Sequence, residues 1–299
     1  MKDGVILIDK EEGMTSFDAV AAVRRLFGTR QVGHTGTLDP MATGLLAVMV
    51  GRAVKASEYL TLDSKSYIAT LKLGITTDTE DVTGKILTKC DDIPSAQRVK
   101  EVCLGFVGEI IQVPPMYSAL KRDGKKLYEL ARQGITVERE GRPVTIHSLS
   151  VTETDKIDEY VLDVKCSSGT YIRTLCADIG AALGCGGAMA TLRRTALGGF
   201  DIKAAATLGC LKEMSESELE GRVLPTEELF LEYPAVTLSG FFKKLAHSGC
   251  EIYQKKIGTS FTVGQRLRLY DGEGFFALGE VREYPDGTAV KPIKKFRIE

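Results

Sequence analysis

The chain has no excess of either charge: 39 basic side chains against 40 acidic ones leave a formal net charge of −1 over 299 residues. A balanced sum speaks against a surface built wholly for a polyanion. Histidine is scarce, with His34, His147 and His247 far apart in sequence, so a metal centre has little raw material and no metal is expected. The seven cysteines (Cys90, Cys103, Cys166, Cys176, Cys185, Cys210, Cys250) are odd in number and never spaced as CxxC. Neither a disulfide framework nor a zinc site is indicated, and the thiols read as small buried hydrophobes in a reducing compartment. No apolar run approaches the roughly 20 residues that span a bilayer, and Met1-Lys2-Asp3-Gly4 leads into no signal-peptide pattern. The expectation is a cytoplasmic protein without membrane contact. Neither the Gly-Lys-Ser/Thr phosphate grip nor a dinucleotide fingerprint is present, and no cofactor is expected.

What is present is size and an uneven distribution of charge. The length suggests two domains, one large and one small, and the composition of 43% hydrophobic and 26% charged residues is that of a globular protein. Between Lys121 and Arg142 seven basic residues face four acids, and Lys291, Lys294, Lys295 and Arg297 form a second basic cluster. Between Glu213 and Glu232 seven glutamates oppose only Arg222. The acidic stretch cancels the basic ones in the sum but not in space, given screening over about 10 Å. Such runs are most often solvated faces, so alone they favour an RNA partner only modestly.

The segment Gly33-His34-Thr35-Gly36-Thr37-Leu38-Asp39-Pro40 is where chemistry concentrates. It sets a carboxylate, an imidazole and two hydroxyls within eight residues punctuated by glycine, and Pro40 fixes φ directly after the acid. An isolated Asp-Pro is a turn signal. Around this segment, 5–8 reads as a strand and a helix begins at Thr15 or Ser16, with Phe17, Val20, Val23, Leu26 and Phe27 at helical spacing and Gly28 as its stop. Residues 45–50 read as a buried strand, 53–60 as a helix, and Tyr67, Ala69, Leu71 and Leu73 as one face of a period-two strand. A helix is predicted from Ser95 to Phe106, a long excursion over 114–143, a strand over 161–166, a helix over 171–183, and a glycine-rich turn over 184–187 before Leu192-Arg193-Arg194. After an acidic linker, the texture becomes a helix over 238–247 and short strands around Phe261, 266–270, 275–283 and 289–296. The pattern predicts an α+β fold around a mixed, mostly antiparallel sheet.

The octapeptide resembles the signature of the TruB family of tRNA pseudouridine synthases, and further blocks agree in order. They are Leu7-Ile8-Asp9-Lys10 with Gly13-Met14-Thr15-Ser16, Met41-Ala42-Thr43-Gly44-Leu45-Leu46, Ser66-Tyr67-Ile68-Ala69, residues 114–121, Gly169-Thr170-Tyr171-Ile172-Arg173-Thr174-Leu175, and Leu192-Arg193-Arg194-Thr195. The resemblance implies a catalytic domain over 1–230 with a thumb-like insertion near 114–143, and a small C-terminal β-rich PUA-like RNA-binding domain over 233–299. It implies isomerisation of uridine 55 in the T loop of tRNA, with the T stem-loop as partner, no cofactor, and a monomeric chain.

By the same resemblance Asp39 is the catalytic carboxylate, Arg173 the cation beside it, and Tyr67 the tyrosine that stacks on the target base and assists proton removal. His34 fills the gap left by an everted nucleotide, Tyr171 and Leu192 line the uracil pocket, and Lys10 and residues 117–142 contact phosphates. Breaking N1–C1′ and rejoining C5 to C1′ is redox-neutral and needs one carboxylate at the sugar or base. Attack at C1′, attack at C6 and proton removal at C2′ stay open, and each needs the carboxylate ionised, a form that a neighbouring arginine favours. Read without the resemblance, Tyr67 is an ordinary half-buried strand tyrosine and Arg173 a surface helix cation. Two positions depart from the family pattern. Glu11 stands where proline is usual, implying a looser turn, and Gly187-Ala188 where Ala-His is usual, implying a lost supporting or RNA-packing contact. The rival readings are a silent RNA-binding protein, against which Asp39, Tyr67 and Arg173 together speak, and a phosphate-binding hydrolase, against which the missing Gly-Lys-Ser/Thr speaks.

Overall fold

The computed structural model describes residues 2–60, 62–122 and 124–297, for Lys121 the backbone alone. Asp123, part of the charge balance above, and the opening Met1 lie outside the described residues. Ten strands form one sheet, and its main path runs Leu224–Pro225, Gly4–Lys10, Thr43–Val50, Gly187–Leu197, Ser64–Leu73, Glu159–Ser167, Arg142–Glu153 and Gly108–Gln112. Val32–His34 joins Thr43–Val50, and Phe200–Asp201 joins Gly187–Leu197. All pairings are antiparallel except Gly187–Leu197 on Thr43–Val50, so the sheet is mixed and mostly antiparallel, as the sequence predicts.

Burial follows strand periodicity. In Ser64–Leu73 the alternate residues Tyr67, Ala69, Leu71 and Leu73 are buried. Thr43–Val50 is apolar on both faces because the sheet is covered on both: Leu46, Val48 and Val50 enter one core while Leu45, Ala47 and Met49 enter another. The first core lies under the helices Ser16–Leu26, Ala96–Leu104 and Ile172–Leu183, which supply Val20, Val23, Val99, Cys103, Leu175 and Ile179. Thr15 caps the first of these helices in a reciprocal capping box with Asp18, and Gly28 follows its end at φ +58°.

The C-terminal region forms a five-stranded sheet, in the order Ala235–Thr237, Arg266–Asp271, Gly274–Tyr284, Gly287–Lys295 and Ile252–Tyr253, of the PUA-like kind expected. It has its own core around Leu267, Leu269, Phe276 and Val290. Leu278 and Phe296 leave that core and pack with Val5, Leu7, Leu229 and Phe230 against the other face of the large sheet.

Several expectations need correction. The segment near 53–60 winds as a tighter 3-10 helix, Gly51–Glu58, and Phe261 lies outside any strand. The acidic stretch is no bare linker: Leu219, Leu229 and Phe230 are buried and Glu227 accepts from the Tyr270 hydroxyl at 2.6 Å, so it folds onto the protein. Cys210 and Cys250 are exposed, unlike the buried Cys103, Cys166, Cys176 and Cys185. The C-terminal basic cluster is largely neutralised, with Lys291 on Glu251, Lys294 on Glu58 and Arg297 on Asp271. The glycine-rich turn ends at Gly186, and Gly187 already opens a central strand. Gly180 of the packed helix meets it there, and a Cβ on Gly187 would stand 2.6 Å from the Cys176 carbonyl. Ala188 is fully buried, so the second family departure faces the interior and no RNA.

Candidate active site

The segment 33–40 runs from the Val32–His34 strand toward Thr43–Val50 and is pinned along its length. Thr35 N donates to Ala47 O at 3.1 Å, and Arg194 Nη2 donates to Gly36 O at 3.3 Å. Ser16 Oγ accepts from Leu38 N at 2.9 Å and donates to Leu38 O at 3.1 Å. Gly13 N donates to Pro40 O at 2.9 Å, and Ala42 N to Asp39 O at 3.0 Å. Asp39 therefore projects from a backbone fixed on both sides.

Its carboxylate Oδ2 lies 3.0 Å from Arg173 Nε. Arg173 sits in the first turn of Ile172–Leu183 and is itself 5% exposed, while the Asp39 side chain keeps 37% of its surface open. The guanidinium is held on every nitrogen: Nη2 donates to Tyr117 O at 2.8 Å, and Nη1 to Thr79 O at 3.2 Å, with Asp81 Oδ2 at 3.8 Å. Glu80 between these last two has φ +63°, the one non-glycine residue in the left-handed region among those described, and this twist sets Thr79 O and Asp81 on the same cation. Gln112, fully buried, fixes the helix start: Tyr171 N donates to its Oε1 at 2.7 Å and its Nε2 donates back to Tyr171 O at 3.0 Å.

Burial raises the Asp39 pKa; Arg173 opposes the shift and Asp81 adds to it, and the net direction is upward. The arginine favours the ionised form, as expected, and burial acts against it.

Tyr67 is 6% exposed, with its phenol hydrogen-bonded to Arg194. Burial raises its pKa, with the Arg194 charge and hydrogen bond opposing. The phenol stays neutral at physiological pH. Arg194, 1% exposed, also donates from Nε to Leu45 O at 2.7 Å. Gly44 makes this strand approach possible: at φ +99°, a Cβ there would stand 2.3 Å from Arg194 O.

His34 lies at the rim, its ring edge-on to exposed Phe17 at 5.7 Å between centroids. Its Nδ1 is buried without a partner, and burial followed by the Arg194 charge lowers its pKa, leaving a neutral ring. Leu192 is 8% exposed and Tyr171 half-buried, with the Arg142 guanidinium 5.1 Å above the Tyr171 ring. The structure thus joins Asp39 to Arg173 and sets Tyr67 and His34 beside Arg194, while Tyr171 opens the helix that carries Arg173 and Leu192 lies on the strand that carries Arg194.

Lys10 does not join them. It is fully buried, and its ammonium donates to Met14 O at 2.7 Å, Glu11 O at 2.9 Å and Pro40 O at 3.3 Å. The predicted phosphate contact is corrected: Lys10 is a strut between the N-terminal turn and the catalytic segment. The same bonds hold the turn at Glu11. Sequence reading missed Arg194, Asp81, Gln112 and the Asp9–Arg193 pair, whose carboxylate oxygens lie 3.0 and 2.7 Å from Nη1 and Nη2. The only signals for Arg194 and for the Asp9–Arg193 pair were their places in the Leu7-Ile8-Asp9-Lys10 and Leu192-Arg193-Arg194-Thr195 blocks; Asp81 and Gln112 fell outside any pattern.

Among the described residues no group of His, Cys, Asp and Glu is arranged to hold a metal, and no helix is long and apolar enough to cross a membrane. Residues 24–172 match the N-terminal domain of the TruB family pseudouridylate synthases, and residues 173–231 the tRNA pseudouridylate synthase B C-terminal domain. A tRNA pseudouridine synthase B of Azoarcus sp. (strain BH72) is 45% identical over 93% of this chain and 91% of its own. Another from Alkaliphilus oremlandii (strain OhILAs) is 42% identical over 94% and 93%. Among solved structures, a Cbf5-Nop10-Gar1 complex aligns with TM-score 0.76 and 27% identity, covering 99% of this chain and 85% of that one. An archaeal box H/ACA sRNP Nop10-Cbf5 complex aligns at 0.74 and 25%, covering 99% and 86%.

Proposed function

The chain belongs to the TruB family of pseudouridylate synthases, isomerases that convert uridine to pseudouridine in tRNA, and on that premise we propose that it acts at uridine 55 of the T loop with Asp39 as its catalytic carboxylate. The observation that carries this reading is the 3.0 Å contact between buried Arg173 and the partly open carboxylate of Asp39.

The target ribose is inaccessible inside a stacked loop, so the nucleotide turns out of the stack into the cleft. Eversion costs a few kcal/mol, and base stacking on an aromatic ring returns roughly 1–3 kcal/mol. Tyr171 is more open than Tyr67, which is 6% exposed, and so offers the larger stacking surface. Leu192 closes the apolar side, and neutral His34 beside Phe17 lies where the vacated stack passes.

The ionised Asp39 then acts on the target nucleotide. N1–C1′ breaks, the uracil turns, C5 bonds to C1′, the C5 proton leaves to solvent and N1 regains a proton. Arg173 keeps the carboxylate charged and aimed, and its own tie to Asp81 and two carbonyls keeps it from following the substrate. Residues 114–143, with the Lys125–Lys126 strand and Leu127–Arg132 helix, form a basic arm over this entrance that reads as the thumb closing on the T arm. The boundary between a catalytic domain over 1–230 and an RNA-binding domain over 233–299 belongs to the same proposal, as do a monomeric state and cytoplasmic residence.

The experiment is positional. An unmodified tRNA transcript is incubated with the protein, treated with carbodiimide and read by primer extension. A single new stop at position 55 supports the reading. Stops at other uridines, with none at 55, contradict it.

A further inference from the structure

Lys65 precedes Tyr67 by two residues and shares its strand face, opposite Cys166 of the neighbouring strand. Its ammonium lies 3.4 Å from Ser168 Oγ. Arg142 reaches the same corner from the start of its own strand. It donates through Nη2 to Gly169 O, covers the Tyr171 ring, and leaves its Nε buried without a partner. Behind both stands the fully buried Arg194.

These three cations, Arg194 buried and Lys65 and Arg142 half-buried, differ from their neighbours on the large sheet and its helices in lacking a counter-charge. Arg173 has Asp39 and Asp81, Arg193 has Asp9, and Lys72 has Asp158. Neither Lys65, Arg142 nor Arg194 has a carboxylate within ion-pair distance among the described residues. Burial lowers the Lys65 pKa, Arg194 lowers it further, Cys166 opposes, and Arg142 again lowers it. Beside them the helix Ile172–Leu183 opens at Tyr171 without a side-chain cap, adding the positive end of its dipole. Like charges gathered without an anion are costly, and the cost is relieved when an anion arrives.

We propose that Lys65 and Arg142, with Ser168, form a subsite for one backbone phosphodiester of the substrate RNA, next to the nucleotide that rests against Tyr171. The inference rests on the reading of the cleft as the RNA site and adds to it a defined phosphate contact. That contact fixes the ribose relative to Asp39 independently of base identity, because phosphate contacts set register and carry no sequence information.

The test measures tRNA affinity against KCl concentration for wild type, Lys65→Met, Arg142→Met and Lys65→Arg. Uncharged methylphosphonate linkages are then placed singly on either side of the target uridine in a T-arm stem-loop. Each methionine variant is expected to bind about tenfold more weakly and to lose roughly 0.7 from the slope of log K against log salt, the value for one single-stranded phosphate. Lys65→Arg retains both. One methylphosphonate position reproduces the loss in wild type and costs nothing further in Lys65→Met. Methionine variants with the wild-type slope overturn the proposal, as does a methylphosphonate penalty equal in variant and wild type. If a methionine variant does not fold, the linkage scan on wild type decides, and no sensitive linkage beside the target overturns the proposal. Failure of the position-55 reading is separate. It appears in the primer-extension map, whereas the salt slopes use whole tRNA and no turnover.

Discussion

A carboxylate in a cleft is a compromise between burial, which penalises its charge, and a nearby arginine, which rewards it. At Asp39 burial prevails, so the acidic limb of the kcat/KM profile is expected above the ordinary aspartate value of 3.8. Arg173 works against the shift, so in Arg173→Gln the limb of the remaining activity moves to still higher pH. A limb that stays or moves down contradicts the assignment. The same shift has a consequence for stability. A carboxylate whose folded pKa is raised destabilises the fold above that pKa, and the penalty fades as pH falls through it. Asp39→Asn is therefore expected to melt no lower than wild type at neutral pH, with any advantage gone in acid, as thermal unfolding across pH will read. At Tyr67 the phenol is neutral and its ring mostly covered, so Tyr67→Ala is expected to lower turnover far more than RNA affinity; equal losses in single-turnover rate and Kd contradict this.

The helix Ile172–Leu183 aims the arginine only because Gln112, on the edge strand Gly108–Gln112, clamps Tyr171 with two hydrogen bonds. Gln112→Ala leaves the Tyr171 N–H without its partner, while the Tyr171 carbonyl keeps Leu175 N at 3.0 Å. It is expected to cost about 1–3 kcal/mol in denaturant unfolding and to lower kcat as Arg173 loses its aim. Unchanged stability contradicts the clamp. At this scale the sequence was legible wherever periodicity was clean: the capping Thr15, the alternate Tyr67 to Leu73 and the Gly28 stop all lie where the pattern sets them. It was illegible at Gly187–Leu197, where a glycine and the buried Arg194 mask a central strand. Hydropathy assigns Arg194 to the surface, and only its bond to Leu45 O and the close approach at Gly44 admit it to the interior. Lys10 misled for the same reason. A lysine reads as solvent-facing, and the three carbonyls that satisfy it are up to 30 residues away. Asp39 and Arg173, by contrast, were legible through the resemblance, and their contact is now a distance.

Across the whole molecule the two sheets share a core. Phe230 stacks with Tyr233 and packs on Phe275 and Phe296 of the C-terminal sheet, while Val5, Leu7 and Met49 of the large sheet close the same cluster. Calorimetry is expected to give one unfolding transition for the full chain, and Phe230→Ala to lower its stability by about 3–5 kcal/mol. Two separated transitions contradict a shared core. This sheet packs on the face of the large sheet opposite the helices Ser16–Leu26, Ala96–Leu104 and Ile172–Leu183. The most direct measurement of the central claim uses a T-arm stem-loop tritiated at uridine C5, with bound RNA and tritium released to water followed in the same samples. Wild type is expected to release one tritium per loop, and Asp39→Asn to bind the loop with unchanged affinity while releasing it roughly 10²–10⁴-fold more slowly or not at all. Release from Asp39→Asn at the wild-type rate contradicts the account.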